Sequence, residues 1–291
     1  MHSYRHSGLA IASVLPLPEW EAFRTAIGEP DVRIVFGSGE RDWSTGDASI
    51  VEGDCLRFAV SGVGGWEIEA GRVIRIFPDG GSDGDMRAFT LGSAWAVIGA
   101  QRGLAFWHGS AVARARRTVL FCGPQGAGKS TLAASLVQRG WSLLSDDLAR
   151  LEPCGGSVRL HPSAGRIKLW SDAVDALDCG HRSVHRDAAR PDKHHCDMTD
   201  RLMPTPQDLS AIAILCDGAY RVERLTGARA VAEAFAAAQY RPEQFDALNA
   251  WPNQTALAAE ICARVPVYRL WRPRRLDALM QLPGWLDRMW E

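Results

Sequence analysis

The sequence predicts an α/β protein, a mixed sheet with flanking helices over residues 96–291, preceded by a β-rich N-terminal domain over residues 1–95. Three observations carry this reading. Between Arg117 and Gly140 a β-rich apolar run, a glycine-rich loop and a helical pattern follow one another. The next apolar run ends in two adjacent carboxylates, Asp146 and Asp147. Upstream, short apolar or alternating runs recur, punctuated by Gly, Asp and Ser, as strands joined by turns require.

In chain order, the strand candidates of the first half are residues 8–15, 32–36, 49–51, 56–60, 66–70, 72–77 and 89–91. One helix interrupts them, opening at Pro18, a residue suited to the first helical turn, and running through Trp20 and Phe23 to Ile27. Residues 77–85 are rich in Gly and Asp and read as a turn. No catalytic signature falls in this half, for which a peptide-binding role is the expectation. Residues 93–102 have helical spacing and lead into a strand that ends in the small, polar run His108-Gly-Ser-Ala-Val112.

Residues 117–122 then read as a buried strand, and residues 129–140 carry Leu132, Leu136 and Val137 at helical spacing before stopping at Gly140. Between them lies Gly123-Pro124-Gln125-Gly126-Ala127-Gly128-Lys129-Ser130-Thr131, which contains the G-x-x-x-x-G-K-[ST] pattern of a phosphate-binding loop. Its glycines let backbone N–H groups face phosphate, and the helix start adds the positive end of its dipole. Lys129 is the candidate for the β/γ-phosphates of ATP and the Ser130 hydroxyl for Mg²⁺. The chain has only three lysines, Lys129, Lys168 and Lys193, so a lysine at this point is not compositional noise.

Residues 141–145 form the next strand and deliver Asp146 and Asp147, completing a βαβ-like unit with ligand groups at strand ends. A carboxylate there can hold a metal against nucleotide phosphates while its neighbour accepts a proton. Downstream, residues 158–161, 211–216 and 265–270 read as strands, and a helix runs through Val174 and Leu177. Residues 230–240, 256–264 and 275–290 read as helices. Residues 179–200 are polar and aperiodic and read as a mobile loop. They hold Cys179, His181, His185, His194, His195 and Cys196, at spacings that fit no structural zinc pattern. The arginine cluster over 269–275 reads as a solvated patch.

The 291 residues carry 46% hydrophobic residues and a net charge of −1, which argues for a globular protein without electrostatic support for nucleic-acid or anionic-membrane partners. Seven widely spaced cysteines, odd in number and without C-x-x-C, point to a reducing, cytoplasmic setting. Residues 8–17 have only a weak basic flank and no convincing small-residue cleavage site, which argues against a signal peptide.

Taken together, His108-Gly109, the loop 123–130 and Leu144-Ser-Asp146-Asp147 resemble the HPr kinase/phosphorylase family, which shares its phosphate-loop architecture with phosphoenolpyruvate carboxykinases. The fuller pattern is similar to the HPr-kinase-like proteins of lasso-peptide gene clusters. It includes Leu15-Pro-Leu-Pro18, Pro30-Asp-Val32, Leu91-Gly-Ser93, Gln101-Arg-Gly103 and Arg166-Ile-Lys-Leu-Trp170. The resemblance implies an ATP- and Mg²⁺-dependent kinase acting on a serine hydroxyl, typically the last residue of a lasso precursor peptide, and an oligomeric assembly. It implies Lys129 and Ser130 on phosphates and metal, Asp146 as general base, Asp147 on the metal side or the two in reversed order, and His108 near the γ-phosphate or orienting an aspartate. Lys168 and Lys193 fall in segments that cover nucleotide and peptide. The family's Glu-bearing segment is matched here by Pro162-Ser-Ala-Gly-Arg-Ile167, which speaks against phosphorolysis. A kinase of an HPr-like protein or of a free small hydroxyl compound, and a non-catalytic nucleotide sensor, are the alternative readings.

Overall fold

The computed structural model describes residues 1–39, 43, 49–187, 190–277 and 286; most of the expected last helix, over 275–290, lies outside them. The chain divides into two compact units, Met1–Phe106 with Tyr240–Gln254, and Trp107–Gln239 with Thr255–Glu291. The division thus follows Phe106, beyond the expected 95, because residue 95 lies inside one unbroken helical run.

The first unit is built on a seven-stranded sheet. Its strands are β1 (His2–His6), β2 (Leu9–Ser13), β3 (Val32–Phe36), β4 (Ile50–Glu52), β5 (Cys55–Val60), β6 (Gly64–Glu69) and β7 (Val73–Pro78), in the order β1-β2-β3-β7-β6-β5-β4. Alternation sets the faces: Val32, Ile34, Ile74 and Ile76 are buried while Arg33 is exposed. The expected helix from Pro18 is a shorter 3₁₀ segment, Pro18–Phe23. Residues 89–91, expected as a strand, are helical. They belong to a run made of α1 (Asp83–Phe89), a π-helical stretch (Thr90–Ala94) and α2 (Trp95–Gln101). Ser82 caps this run by accepting from the Asp85 N–H at 3.2 Å, a helix start within a stretch that reads as a turn. Thr90 is buried because its hydroxyl accepts from the indole N–H of the fully buried Trp66, at 2.9 Å. The short helix α6 (Pro242–Ala247) completes this unit.

The second unit opens within β8 (Ala105–His108) and continues through β9 (Ser110–Arg114), β10 (Arg117–Cys122), α3 (Lys129–Gln138) and β11 (Ser142–Ser145). Strands β12 (Leu148–Cys154), β13 (Ser157–His161) and β14 (Arg166–Trp170) follow, then α4 (Ser171–Ala176), β15 (Ser183–Asp187), β16 (Arg190–Asp197) and β17 (Gln207–Asp208). The chain ends with β18 (Ala211–Asp217), β19 (Arg221–Leu225), α5 (Gly227–Ala237), the later part of α7 (Trp251–Arg264) and β20 (Val267–Arg272). Its main sheet runs β11-β9-β10-β18-β20-β19, with β10, β18 and β20 parallel and β9, β11 and β19 antiparallel to their neighbours. Beside it stand β17-β13-β12-β8 and a small sheet, β14-β16-β15. Val119 and Phe121 of β10, Leu132 and Leu136 of α3 and Ile167 and Leu169 of β14 share one core.

Residues 179–200, expected as a mobile loop, instead supply β15 and β16 of the small sheet. Cys179 and Cys196 are buried in that core, and His194 meets the Ser171 hydroxyl at 3.1 Å and the Ser183 hydroxyl at 2.9 Å. Buried Cys and His stand where strand periodicity normally shows aliphatics, which hides the pattern.

Candidate active site

Strand β10 ends at Cys122 and the chain turns through 123–128 into α3. Gly126 and Gly128 take φ of 78° and 81°, the left-handed region that glycine enters without cost. At Gly128 a Cβ would also collide with the Arg272 guanidinium. Inside the turn, the Lys129 ammonium lies 2.8 Å from the Gly123 carbonyl and 3.1 Å from that of Pro124. Burial lowers the pKa of this lysine, an effect that nearby Asp146 and Asp147 partly oppose.

Two further cations hold the loop from behind. Arg272 Nη2 donates to the Ala127 carbonyl at 2.7 Å and to that of Gly128 at 3.4 Å, and Arg274 Nη2 to the Gly126 carbonyl at 2.5 Å. Arg272 is only 6% exposed. The arginine cluster expected as a solvated patch therefore includes a buried clamp on the phosphate loop. Sequence offered no signal for it, because Arg272 and Arg274 follow the loop by more than 140 positions. Carbonyls drawn toward Lys129, Arg272 and Arg274 turn the opposite, N–H side of those peptides outward, which is how a loop becomes an anion-binding nest.

Asp146 and Asp147 follow β11. In the sheet, Phe121 stands opposite Ser110 and Ser145 opposite Ala111, so the ends of β10 and β11 are nearly level. One strand separates them, an offset of about 10 Å at the usual inter-strand spacing. Asp146 is buried. Its Oδ1 accepts from the Ser110 hydroxyl at 2.6 Å and its Oδ2 from the Lys168 N–H at 2.9 Å. Asp147 takes φ of 77°, a conformation that costs a non-glycine residue on the order of 1 kcal/mol. Its Oδ2 lies 2.5 Å from Lys168 Nζ and its Oδ1 3.3 Å from His108 Nδ1. The Asp147 carbonyl lies 2.9 Å from the same ring nitrogen, and since a carbonyl only accepts, Nδ1 carries the proton. Burial alone raises the Asp147 carboxyl; the Lys168 ammonium and His108 outweigh it and hold the group well below the ordinary carboxylate range.

The structure thus gathers His108, Asp146 and Asp147 in one hydrogen-bonded cluster and places Lys129, Ser130 and Thr131 on the first turn of α3 after the loop. Lys168, expected in a segment that covers nucleotide and peptide, ties the two aspartates together through its backbone and its side chain. Ser110 is the residue that sequence reading passed over; the His108-Gly-Ser-Ala-Val112 run contained it without marking its role. Among the described residues no group of three or more His, Cys, Asp or Glu could hold a metal ion, and no helix is long and apolar enough to cross a membrane.

A family model described as an AAA domain matches residues 119–199, from β10 through the loop, α3 and the aspartates to the end of the small sheet. Among solved structures, the Hpr(Ser) kinase/phosphatase from Coxiella burnetii is similar at 13% identity, over 64% of this chain and 95% of that chain, with a TM-score of 0.35. No curated protein matches the sequence. Loop geometry and family model together describe a phosphate-loop, nucleotide-binding domain in a mixed α/β protein.

Proposed function

We propose that this protein is an ATP- and Mg²⁺-dependent kinase that transfers the γ-phosphate to a serine hydroxyl of a peptide, the C-terminal Ser of a lasso-peptide precursor. The observation that carries this reading is the locked aspartate pair at the same sheet end as the phosphate loop. A nucleotide sensor has no use for two adjacent carboxylates fixed by Ser110, Lys168 and His108, whereas in-line transfer needs positioned groups for both metal and acceptor. Cytoplasmic residence is part of the proposal and is supported by seven free cysteines.

The two carboxylates differ in a way that supports the reversed order of roles. Asp146 is held by neutral donors alone, and with the Ser130 hydroxyl it offers a hard oxygen donor set suited to Mg²⁺. Bound there, Mg²⁺ would neutralise charge on the transferring phosphate. Asp147 already has an ammonium on Oδ2 and suits the acceptor. The serine Oγ forms its bond to the γ-phosphorus, the bond from that phosphorus to the leaving ADP oxygen breaks, and the hydroxyl proton passes to the Asp147 carboxylate. A carboxylate of low pKa serves here because the loose transition state leaves the hydroxyl proton in place until late, so orientation matters more than basicity.

Intact-mass analysis tests this, using a synthetic lasso precursor ending in Ser with ATP and Mg²⁺. One phosphate should be gained by that peptide and none by its terminal Ser→Ala form. Asp147→Asn should slow transfer by about 100-fold or more with nucleotide affinity preserved, and Asp146→Asn should raise the Mg²⁺ concentration required. Transfer by Asp147→Asn at the wild-type rate would remove Asp147 from the proton's path. No phosphate gain, with nucleotide bound, would shift the acceptor to an HPr-like protein or a small hydroxyl compound.

A further inference from the structure

Lys168, Trp170, Lys193 and His195 share one face of the β14–β16 pair. Lys168 stands opposite His195 and Trp170 opposite Lys193, and residues two apart on a strand point to the same side. The other face sends Ile167, Leu169 and Cys196 into the core. Since Lys168 places its ammonium on Asp147, the polar face is the one turned toward the aspartates. Lys193 is the diagonal neighbour of Lys168, at a spacing of about 7–8 Å or somewhat less between Cβ atoms.

Lys193 is half-buried, yet among the described residues no carboxylate pairs with it. Its ammonium lies 5.6 Å from the centre of the Trp170 ring, and that ring is 39% exposed, one of the few large apolar side chains so presented. Burial, then Arg190 and Lys168, push the Lys193 pKa down, so the surroundings hold excess positive charge that Asp147 and Asp146 only partly offset. All three lysines of this arginine-rich chain therefore stand around the aspartate pair: Lys129 in the loop, Lys168 on Asp147, and Lys193 without an anion among the described residues.

We propose that Lys193, with Trp170 beside it, forms an anion subsite for the phosphoacceptor, and that its occupant is the α-carboxylate of a terminal serine. This rests on the serine-kinase reading above. A terminal serine carries its carboxylate on the carbon next to the one that bears the hydroxyl, so a cation beside the acceptor-binding aspartate meets it; an internal serine offers only a neutral carbonyl there. The nucleotide is the weaker candidate for this cation. Among the described residues the hydrogen bonds of the small sheet reach Asp146 and Asp147, and none reaches the loop 123–128, whose N–H groups and Lys129 attend the phosphates. The subsite makes the enzyme select serine at a chain end.

The test uses the synthetic precursor as free acid and as C-terminal carboxamide, with wild type, Lys193→Gln and Lys193→Arg. The acid should exceed the amide in kcat/KM by about tenfold for wild type, the loss expected when a charge-assisted hydrogen bond is removed. Lys193→Gln should lower the acid to the level of the amide, leave the amide unchanged and keep nucleotide affinity, and Lys193→Arg should recover part of the preference. Equal rates for acid and amide, an equal fall for both in Lys193→Gln, or a loss of nucleotide affinity in that variant would each overturn the subsite. Calorimetric binding of the terminal Ser→Ala peptide, acid against amide, reads the subsite without chemistry. Acid-selective binding without phosphate transfer would leave the subsite and sink the kinase reading, and transfer without acid preference would do the reverse.

Discussion

Arg272 shows what a single side chain does for the phosphate loop. A loop that offers N–H groups to an anion must send its carbonyls elsewhere, and buried carbonyls without partners are costly. Arg272 answers for Ala127 and Gly128, Arg274 for Gly126, and Lys129 for Gly123 and Pro124. Arg272 also fills the space beside Gly128, so the glycine and the arginine specify each other. Replacing Arg272 by Met keeps much of the volume and removes the donors. Affinity for a fluorescent ADP analogue should then fall by about tenfold, the equivalent of one or two hydrogen bonds from a charged group, with Arg272→Lys intermediate. Unchanged affinity in Arg272→Met would show that the loop holds its shape without the clamp. The loop itself was legible because its chemistry fixes residue type and spacing. The clamp was not, since two arginines beside Pro273 look like solvated surface until the fold brings β20 next to β18 and β18 next to β10.

At the scale of elements, the small sheet β14-β16-β15 departs furthest from the sequence reading, and its histidines explain why. His195 is 1% exposed, with its ring edge-on to His185, the ring centres 5.2 Å apart, and neither ring nitrogen hydrogen-bonded among the described residues. Burial, with Arg166, Lys168, His185 and Lys193 around it, pushes its pKa down to about 2, and Asp187 at 4.0 Å does not offset this. The folded sheet thus holds His195 neutral, while the unfolded chain binds a proton near the ordinary value of 6.5. Stability is therefore full above that value and falls as pH drops below it, by about 2 kcal/mol at pH 5. Urea unfolding at a series of pH values should show wild type losing stability over that window and His195→Leu losing less by about this amount; parallel curves would mean that His195 takes up its proton without unfolding. The unit β10–α3–β11 was read correctly because apolar runs and a chemical motif coincide there. β16 was missed because its core-facing positions are His194 and Cys196, and α1 because a polar helix begins inside a Gly- and Asp-rich stretch with only Ser82 to mark it.

For the whole chain, what matters is that neither unit is a continuous piece of sequence. The first unit takes Met1–Phe106 and recovers Tyr240–Gln254, more than 130 positions further along the chain. Gln254, almost fully buried, donates to the Leu104 carbonyl at 3.1 Å, a contact 150 positions apart in sequence. Periodicity reports local structure and carries no sign of such a return, so the expected division at 95 cuts through the helical run 83–101. Val97 and Ile98, fully buried, would stay on the phosphate-loop side of that cut without the sheet they belong to, and the returning segment would lose most of its unit. Two such side chains exposed together cost about 3–6 kcal/mol, comparable to the net stability of many domains. A fragment of residues 96–291 should therefore bind a dye that reports exposed apolar surface and unfold without a sharp transition, whereas the full chain unfolds cooperatively. Co-expression of residues 1–95 in trans should restore the sharp transition, because the missing strands then become available to the helical run. A fragment of 96–291 that melted cooperatively and bound nucleotide like the full chain would show instead that the phosphate-loop domain folds without the β-rich unit, and the N-terminal residues would then be free to serve the peptide alone.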